Sequence, residues 1–218
     1  MAMENRGYFI IDGSHLFSSI YELWRTKPEF KDRKLDIGRL TEALMRKWSI
    51  YVGATIRVVY YFKQNDKRLK TMLVIPETDM PGKKDHWQIK ECGENIKSIP
   101  EEELQKISEQ YRDHFIRAEK GLDIKLASDV LIFVSSGRAS NIIFLVNDRD
   151  YIPLFEAIQY LGGNVYLTGL DSSQKIQKGL ANLCDKFLTL DDELDNLFGV
   201  VRQQAEPQIL QQEPPVSS

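Results

Sequence analysis

The chain has 218 residues, of which 42% are hydrophobic, 10% aromatic and 28% charged. This composition supports the buried core of one large domain and excludes a disordered chain. The formal net charge of -3 argues against a protein that holds nucleic acid by bulk positive charge alone, although a shaped site remains compatible with it.

Membrane and zinc-binding classes also lack support in the sequence. Apolar runs such as 8–11 and 142–146 are far shorter than the roughly 20 residues that cross a bilayer, so no membrane partner is expected. Residues 1–7 hold no basic stretch that leads into an apolar segment, which favours a cytoplasmic location. Cys92 and Cys184 lie too far apart for a zinc knuckle or a redox dithiol, and packed or idle thiols are expected.

The first part of the chain alternates strand and helix signals. Residues 7–12 form a short apolar run that ends at Asp12 and Gly13, which predicts a buried strand and a sharp turn. The following patterns predict, in order, a helix ending near Pro28, a helix from the N-cap Asp36 to Gly53, a strand over 55–62 and a short helix within 64–75.

Prolines and glycines then interrupt the pattern, which predicts an irregular insertion over about 76–100. The rest of the domain is predicted to contain helices over 101–117, 123–134, 151–161, 176–182 and 191–198, with strands over 141–146, 164–168 and 186–188. The tail at 201–218 is rich in Gln and Pro and poor in apolar residues, so it is expected to be disordered. Residues 1–200 are therefore predicted to form one α/β domain.

Four acidic residues occupy the positions where such a fold binds ligands. Strands that alternate with helices predict a mainly parallel sheet whose crevice lies beyond the carboxyl ends of the strands. Asp12 follows the first strand, Asp148 and Asp150 follow the strand at 141–146, and Asp123 begins a helix at the same edge. Taken singly, Asp12 and Asp148 could be turn residues and Asp123 a helix N-cap.

Convergence of these carboxylates would have a chemical consequence. Like charges raise one another's pKa unless a cation neutralises them, and hard oxygen ligands suit Mg²⁺ or Mn²⁺. Such an ion can activate a water for attack on a phosphodiester and can steady the leaving oxygen. The pattern therefore predicts a divalent-metal site.

Three blocks of sequence carry a family resemblance. They are FIIDGS at 9–14, KGLDIKLA at 120–127 and VNDRDYIPL at 146–154. In order and spacing they resemble the NYN domain family of PIN-like nucleases, over about residues 7–190. The resemblance implies a three-layer, Rossmann-like (PIN-like) sandwich with a mainly parallel central sheet, and metal-dependent phosphodiester cleavage, usually of RNA.

The resemblance also implies which acids act. Asp12, Asp123 and Asp148 would hold the metal, and Asp150 would bind a second ion or orient the water. Asp129 matches a frequent further acid of the family. Six residues correspond to about 600° of helix rotation, so Asp129 should point away from Asp123 and play a supporting or structural role.

Two positions depart from the family pattern. Members commonly carry Asn where this chain has His15, and Ser or Thr where it has Val146, and both positions border the metal in relatives. His15 could donate a hydrogen bond to a water or phosphate and titrate near neutral pH, or be an ordinary helix-start histidine. Val146 lacks a hydroxyl that would orient a carboxylate or water, so activity could be weaker or the substrate unusual.

Polar and basic residues near the three blocks are candidates for contact with the substrate, with surface salt bridging as the alternative for the basic ones. The candidates are Ser14, His15, Lys67, Arg68, Lys120, Lys125 and Arg149. Tyr21 and Tyr151 could stack on bases, although Tyr151 matches an aromatic of the family and is expected to pack beneath the site.

The sequence thus favours a metal-dependent endoribonuclease that uses Mg²⁺ or Mn²⁺ and a metal-activated water. Two alternatives stay open: a catalytically weak or silent RNA-binding module that retains the fold, suggested by His15 and Val146, and a DNA-directed nuclease. A homo-oligomer is compatible with the sequence.

Overall fold

The computed structural model of the chain describes residues 6–76, 86–92, 105, 121–173 and 175–199. The strands are β1 (Arg6–Asp12), β2 (Leu35–Asp36), β3 (Ala54–Lys63), β4 (Leu73–Val74), β5 (Trp87–Cys92), β6 (Asn141–Leu145), β7 (Asn164–Gly169) and β8 (Lys186–Thr189). The α-helices are α1 (Gly13–Thr26), α2 (Ile37–Val52), α3 (Arg68–Met72), α4 (Leu122–Ser135), α5 (Ile152–Tyr160), α6 (Lys178–Leu183) and α7 (Leu194–Phe198). Short 3₁₀ turns cover Pro28–Phe30, Arg149–Tyr151 and Asp191–Glu193. Within these ranges, none of the helices has the length and apolar character needed to cross a membrane.

The central sheet is parallel throughout its described strands. Its six strands lie in the order β5-β3-β1-β6-β7-β8, while β2 and β4 form a separate small pair. The chain moves outward from β1 to β3 and β5, then returns to place β6 on the other side of β1. This reversal of direction opens a crevice at the carboxyl ends of β1 and β6, where folds of this class bind ligands.

Two apolar layers enclose the sheet. In β1, Phe9 and Ile11 pack into the layer that contains the buried faces of α1 and α2, whereas Ile10 packs into the layer formed with α4 and α5. Side chains of a strand alternate between its two faces, so a strand covered on both sides is apolar at nearly every position. The predicted α/β sandwich with a mainly parallel sheet is therefore confirmed.

Local signals set the helix ends as predicted in two places. The Asp36 side chain accepts a hydrogen bond from the Arg39 backbone N–H and caps α2, which ends at Gly53 with a φ of 63°. The N-cap of α4, in contrast, is Gly121, so Asp123 lies in the first turn of that helix. The alternative role of Asp123 as an N-cap is therefore wrong.

The predicted insertion over 76–100 contains a strand. β5 (Trp87–Cys92) pairs in parallel with β3, from Val58 opposite Trp87 to Lys63 opposite Cys92. β5 lies at the edge of the sheet and all its residues are half-buried or exposed, so it lacks the continuous apolar run that marks a central strand. The helix predicted over 101–117 and the tail predicted over 201–218 lie outside the described residues.

Gly13 provides a test of the turn that links β1 to α1. A Cβ at this position would lie 2.1 Å from Phe62 Cδ1 and 2.6 Å from the Tyr61 carbonyl oxygen. We expect Gly13→Ala to lower the free energy of unfolding by about 1–3 kcal/mol, because the backbone of β3 cannot move aside as a flexible side chain can.

Gly179→Ala in α6 is the matched control for this measurement. Its added Cβ would meet the terminal methyl of Ile152 at 2.8 Å, which can rotate away. Chemical denaturation of both variants should show a large loss for Gly13→Ala only. Equal losses would contradict the steric requirement at Gly13.

Candidate functional site

Asp12 lies at the centre of the crevice, as the last residue of β1 and the N-cap of α1. Its Oδ1 accepts hydrogen bonds from the backbone N–H groups of Ser14 (2.8 Å) and His15 (3.3 Å), and its Oδ2 accepts one from the Tyr151 hydroxyl (3.0 Å). The residue is 6% exposed, and burial raises the pKa of its carboxyl to about 6. Asp12 thus serves the turn and also presents a carboxyl group in the crevice.

The Tyr151 hydroxyl joins Asp12 to Asp123. It lies 3.0 Å from Asp12 Oδ2 and 2.9 Å from Asp123 Oδ1. Tyr151 itself is 2% exposed, which confirms the prediction that it packs beneath the site rather than stacking on bases. The structure therefore brings two of the four predicted acids together. Tyr151, which joins them, belongs to a third element, the turn Arg149–Tyr151.

The number of hydrogens in this arrangement determines its chemistry. A tyrosine hydroxyl carries one hydrogen, whereas ionised carboxylates can only accept hydrogen bonds. With Asp12 and Asp123 both ionised, one of the two short contacts would place oxygen lone pairs against each other. Burial, followed by the charges of Asp12 and Asp123, raises the pKa of Tyr151, so the hydroxyl keeps its hydrogen. A proton on Asp12, whose pKa is raised to about 6, would supply the missing hydrogen.

Asp148 and Asp150 lie at the neighbouring strand end. Both are exposed, and Asp148 Oδ1 accepts a hydrogen bond from the Asp150 backbone N–H (3.1 Å), which caps the turn Arg149–Tyr151. Among the described residues, no contact joins either acid to Asp12 or Asp123. Nor does the described part of the chain contain a cluster of three His, Cys, Asp or Glu side chains suited to a metal ion. The three-carboxylate grouping expected of Asp12, Asp123 and Asp148 is thus seen only in its first two members.

The contacts of Asp129 indicate a structural role for this acid. It is 6% exposed and accepts hydrogen bonds from Lys90 Nζ (2.7 Å), Lys125 Nζ (2.8 Å) and the Tyr61 hydroxyl (3.1 Å). Burial acts to raise the pKa of Asp129, but the hydrogen bonds from Lys125 and Lys90 hold it below its usual range. The carboxylate therefore ties α4 to β3 and β5, and the Lys125 ammonium group, predicted to contact phosphate, is paired with Asp129.

The remaining basic candidates differ in the contacts that they make with other residues of the chain. Arg68 binds the Asp66 carboxylate at 2.7–3.0 Å and lies over the Phe17 ring at 4.6 Å. Lys67 is exposed at the start of α3, and Arg149 is exposed with its Nε 3.4 Å from Gln177 Oε1. Lys120 lies outside the described residues. Contacts of these residues with phosphate stay predictions.

His15 differs from its expected behaviour. Burial lowers the pKa of its imidazole to about 4, so the ring is neutral at physiological pH and the expectation of titration near neutral pH is wrong. Its Nε2 lies 3.4 Å from Ser19 Oγ. Ser14 next to it is half-buried and contributes its backbone N–H to Asp12. As a neutral ring, His15 can still donate or accept a hydrogen bond.

The raised pKa of Asp12 predicts a pH-dependent stability. Because the folded-state value near 6 exceeds the usual 3.8, the folded chain binds this proton more tightly than the unfolded chain. The favourable contribution is present below about pH 4 and is lost as pH rises through 6, a change of about 3 kcal/mol. We expect Asp12→Asn, in EDTA, to be more stable than the wild type at pH 7, with the difference falling by about half at pH 5.

Chemical denaturation at both pH values measures this difference. Asp36→Asn is the matched control, since Asp36 also caps a helix but has Arg39 at 3.8 Å instead of a second carboxylate. That variant should gain no stability at pH 7. A difference between Asp12→Asn and the wild type that does not vary with pH would contradict the raised pKa of Asp12.

Comparison with known proteins adds an independent observation. A family model described as the NYN domain matches residues 10–191. No match was found among curated proteins or among solved structures. The matched stretch covers most of the chain, includes Asp12, Asp123, Asp148 and Asp150, and contains nearly all of the parallel sheet. The chain therefore belongs to the NYN domain family, whose domains have a nuclease-type, PIN-like fold.

Proposed function

We propose that the chain is a metal-dependent endoribonuclease that cleaves RNA with a metal-activated water. The observation that carries the proposal is the Asp12–Tyr151–Asp123 arrangement at the crevice between β1 and β6. It places two carboxyl groups against one tyrosine hydroxyl at the edge of a nuclease-type fold where ligands bind. Membership of the NYN family supports a nucleic-acid substrate.

The donor set is suited to a divalent cation. Mg²⁺ is commonly held by one or two carboxylates while it retains waters and contacts substrate phosphates. Asp12 and Asp123 would hold Mg²⁺ or Mn²⁺, and we propose Asp148, at the adjoining strand end, as a further ligand in the loaded protein. When bound, the ion would supply a water activated for attack and would neutralise charge on the leaving oxygen.

The residues of the chain prepare the site for this chemistry. Two backbone N–H groups of α1 fix one oxygen of Asp12, so the other oxygen is directed toward the Tyr151 hydroxyl. In our proposal, Asp150 orients a water, and basic residues that follow the strands on either side of β1 position the phosphodiester backbone. Lys67 after β3 and Arg149 after β6 are exposed and available for that role.

A second candidate function is an RNA-binding module without catalysis. Exposed Asp148, which has no described contact with the Asp12–Asp123 pair, favours it. A DNA-directed nuclease is the third reading, and the choice of labelled RNA or DNA in a cleavage assay separates it from the first.

The first test of the proposal is catalytic. Asp12→Asn and Asp148→Asn should abolish cleavage of single-stranded RNA in Mn²⁺ while RNA binding, measured by fluorescence anisotropy, survives. The reason is that metal ligands support the reaction, whereas basic groups and backbone amides position the phosphate. Asp36→Asn should cleave normally, and EDTA should stop every active variant. Cleavage of RNA by Asp12→Asn at the wild-type rate would contradict the metal-site assignment.

A second test needs no substrate. Metal at ten times its Kd stabilises the folded state by about 1.4 kcal/mol, which should raise the melting temperature of the wild type by roughly 3–6 °C. Asp12→Asn should show much less of that rise in Mn²⁺ relative to EDTA. If wild type and variant respond identically, Asp12 is not a metal ligand.

A further inference from the structure

The outer side of α1 carries an exposed aromatic residue near the acidic pair. Asp12 caps the start of this helix, and Tyr21 follows on it, about 13 Å from the Asp12 end along the helix axis. Tyr21 is 67% exposed, and its ring lies 6.3 Å from the ring of half-buried Trp24. The ring that the sequence offered as a possible partner of bases is therefore accessible from solvent.

Two segments from other parts of the chain pack against α1 on either side of Tyr21. Arg68 of α3 lies over the Phe17 ring at 4.6 Å, about one helical turn before Tyr21. Trp24, about one turn after Tyr21, donates a hydrogen bond from its Nε1 to the Arg33 carbonyl oxygen at 3.1 Å. Along the helix, Tyr21 thus lies between the contact with α3 and the contact with the loop that contains Arg33.

Both of these segments are basic. Six of the eight residues in 31–34 and 67–70 are Lys or Arg, and exposed Asp32 is the one acid among them, although acids outnumber basic residues 32 to 29 in the whole chain. Lys34 Nζ donates a hydrogen bond to the Lys70 carbonyl oxygen at 2.7 Å, and the pairing of β2 with β4 also joins the two segments. The fold therefore concentrates positive charge on one side of α1, and such a surface attracts polyanions.

The lysines of this surface are accessible to a ligand. Lys31, Lys34, Lys67 and Lys70 are all exposed, and within the described part of the chain none of them is paired with a carboxylate. An ammonium group has three hydrogens, so Lys34 keeps two for other acceptors after its bond to the Lys70 carbonyl. The surface can therefore donate several charge-assisted hydrogen bonds to phosphate oxygens.

An exposed aromatic ring beside basic side chains is suited to a single-stranded nucleic acid. The bases of a single strand are free to stack on such a ring while lysines neutralise the phosphates. The bases of a duplex stay stacked on one another, and an anionic lipid surface would use the lysines without the ring. The position of the surface on the helix that Asp12 caps favours RNA over lipid.

We propose that single-stranded RNA binds along α1, on the β3 side of the crevice. Tyr21 stacks on a base, and the neighbouring lysines contact phosphates. The proposal rests on the proposed function for its choice of ligand, and it extends the bound part of the RNA beyond the phosphodiester at Asp12. The residues of this surface, which we call the α1 surface, are Tyr21, Lys31, Lys34, Lys67 and Lys70.

The stacking contact is tested by binding in EDTA, where no cleavage interferes. The probes are a fluorescein-labelled oligouridylate and an oligomer of the same length without bases. Tyr21→Ala should weaken binding of oligouridylate about fivefold or more and leave binding of the abasic probe unchanged, since stacking on one ring is worth at least that much. Tyr21→Phe keeps the ring and should retain the affinity. Tyr160→Ala is the matched control, because Tyr160 is 91% exposed at the end of α5, near the amino ends of the strands, and should bind as the wild type does.

The phosphate contacts are tested by salt dependence. Replacing Lys31 and Lys70 together by Gln should lower the slope of log affinity against log salt by about 1.4, because each contact with a single strand contributes about 0.7. Replacing both by Arg should keep the slope. The matched control replaces Arg57 and Arg138 by Gln, which removes the same charge from exposed residues toward the amino ends of β3 and β6 and should change nothing. All these side chains are exposed, so every variant should melt near the wild-type temperature.

The outcomes distinguish this proposal from the proposed function. Cleavage of RNA in Mn²⁺, with Tyr21→Ala and the Lys31 and Lys70 variant equal to their controls in binding, would overturn the α1 surface and leave the nuclease proposal standing. Binding that depends on Tyr21 and on these lysines, without cleavage in any metal, would support the α1 surface and overturn the nuclease proposal. Binding to vesicles of phosphatidylserine and phosphatidylcholine, with none to oligouridylate, would overturn RNA as the ligand of the surface.

Discussion

One hydrogen shared between two carboxyl groups is the constraint on which the site depends. The Tyr151 hydroxyl contacts both Asp12 and Asp123, and it can donate to only one of them at a time. The three residues come from β1, the first turn of α4 and the turn after β6, so the contact joins three elements at the crevice. While both acids are ionised, one of the two contacts therefore lacks a hydrogen, and the raised pKa of Asp12 is consistent with that arrangement.

Asp129 shows how the same chain treats an acid with a structural role. It accepts hydrogen bonds from the ammonium groups of Lys90 and Lys125, and these bonds lower its pKa despite burial. Asp12, by contrast, has no lysine or arginine partner among the described residues, and burial raises its pKa. The two buried acids of this domain thus differ in whether ammonium groups balance their charge, and their pKa values shift in opposite directions.

The sequence alone determined the features that depend on neighbouring residues. The apolar runs of β1 and β6, the cap at Asp36 and the parallel α/β class follow from local pattern, and three short blocks identified the family. Only the tertiary structure assigned the Tyr151 hydroxyl to Asp12, 139 positions away, and Lys90 to Asp129, 39 positions away. It also placed edge strand β5 and showed that burial keeps His15 neutral. Hydrogen-bond partners and desolvation depend on which distant segments meet, and no local pattern encodes that.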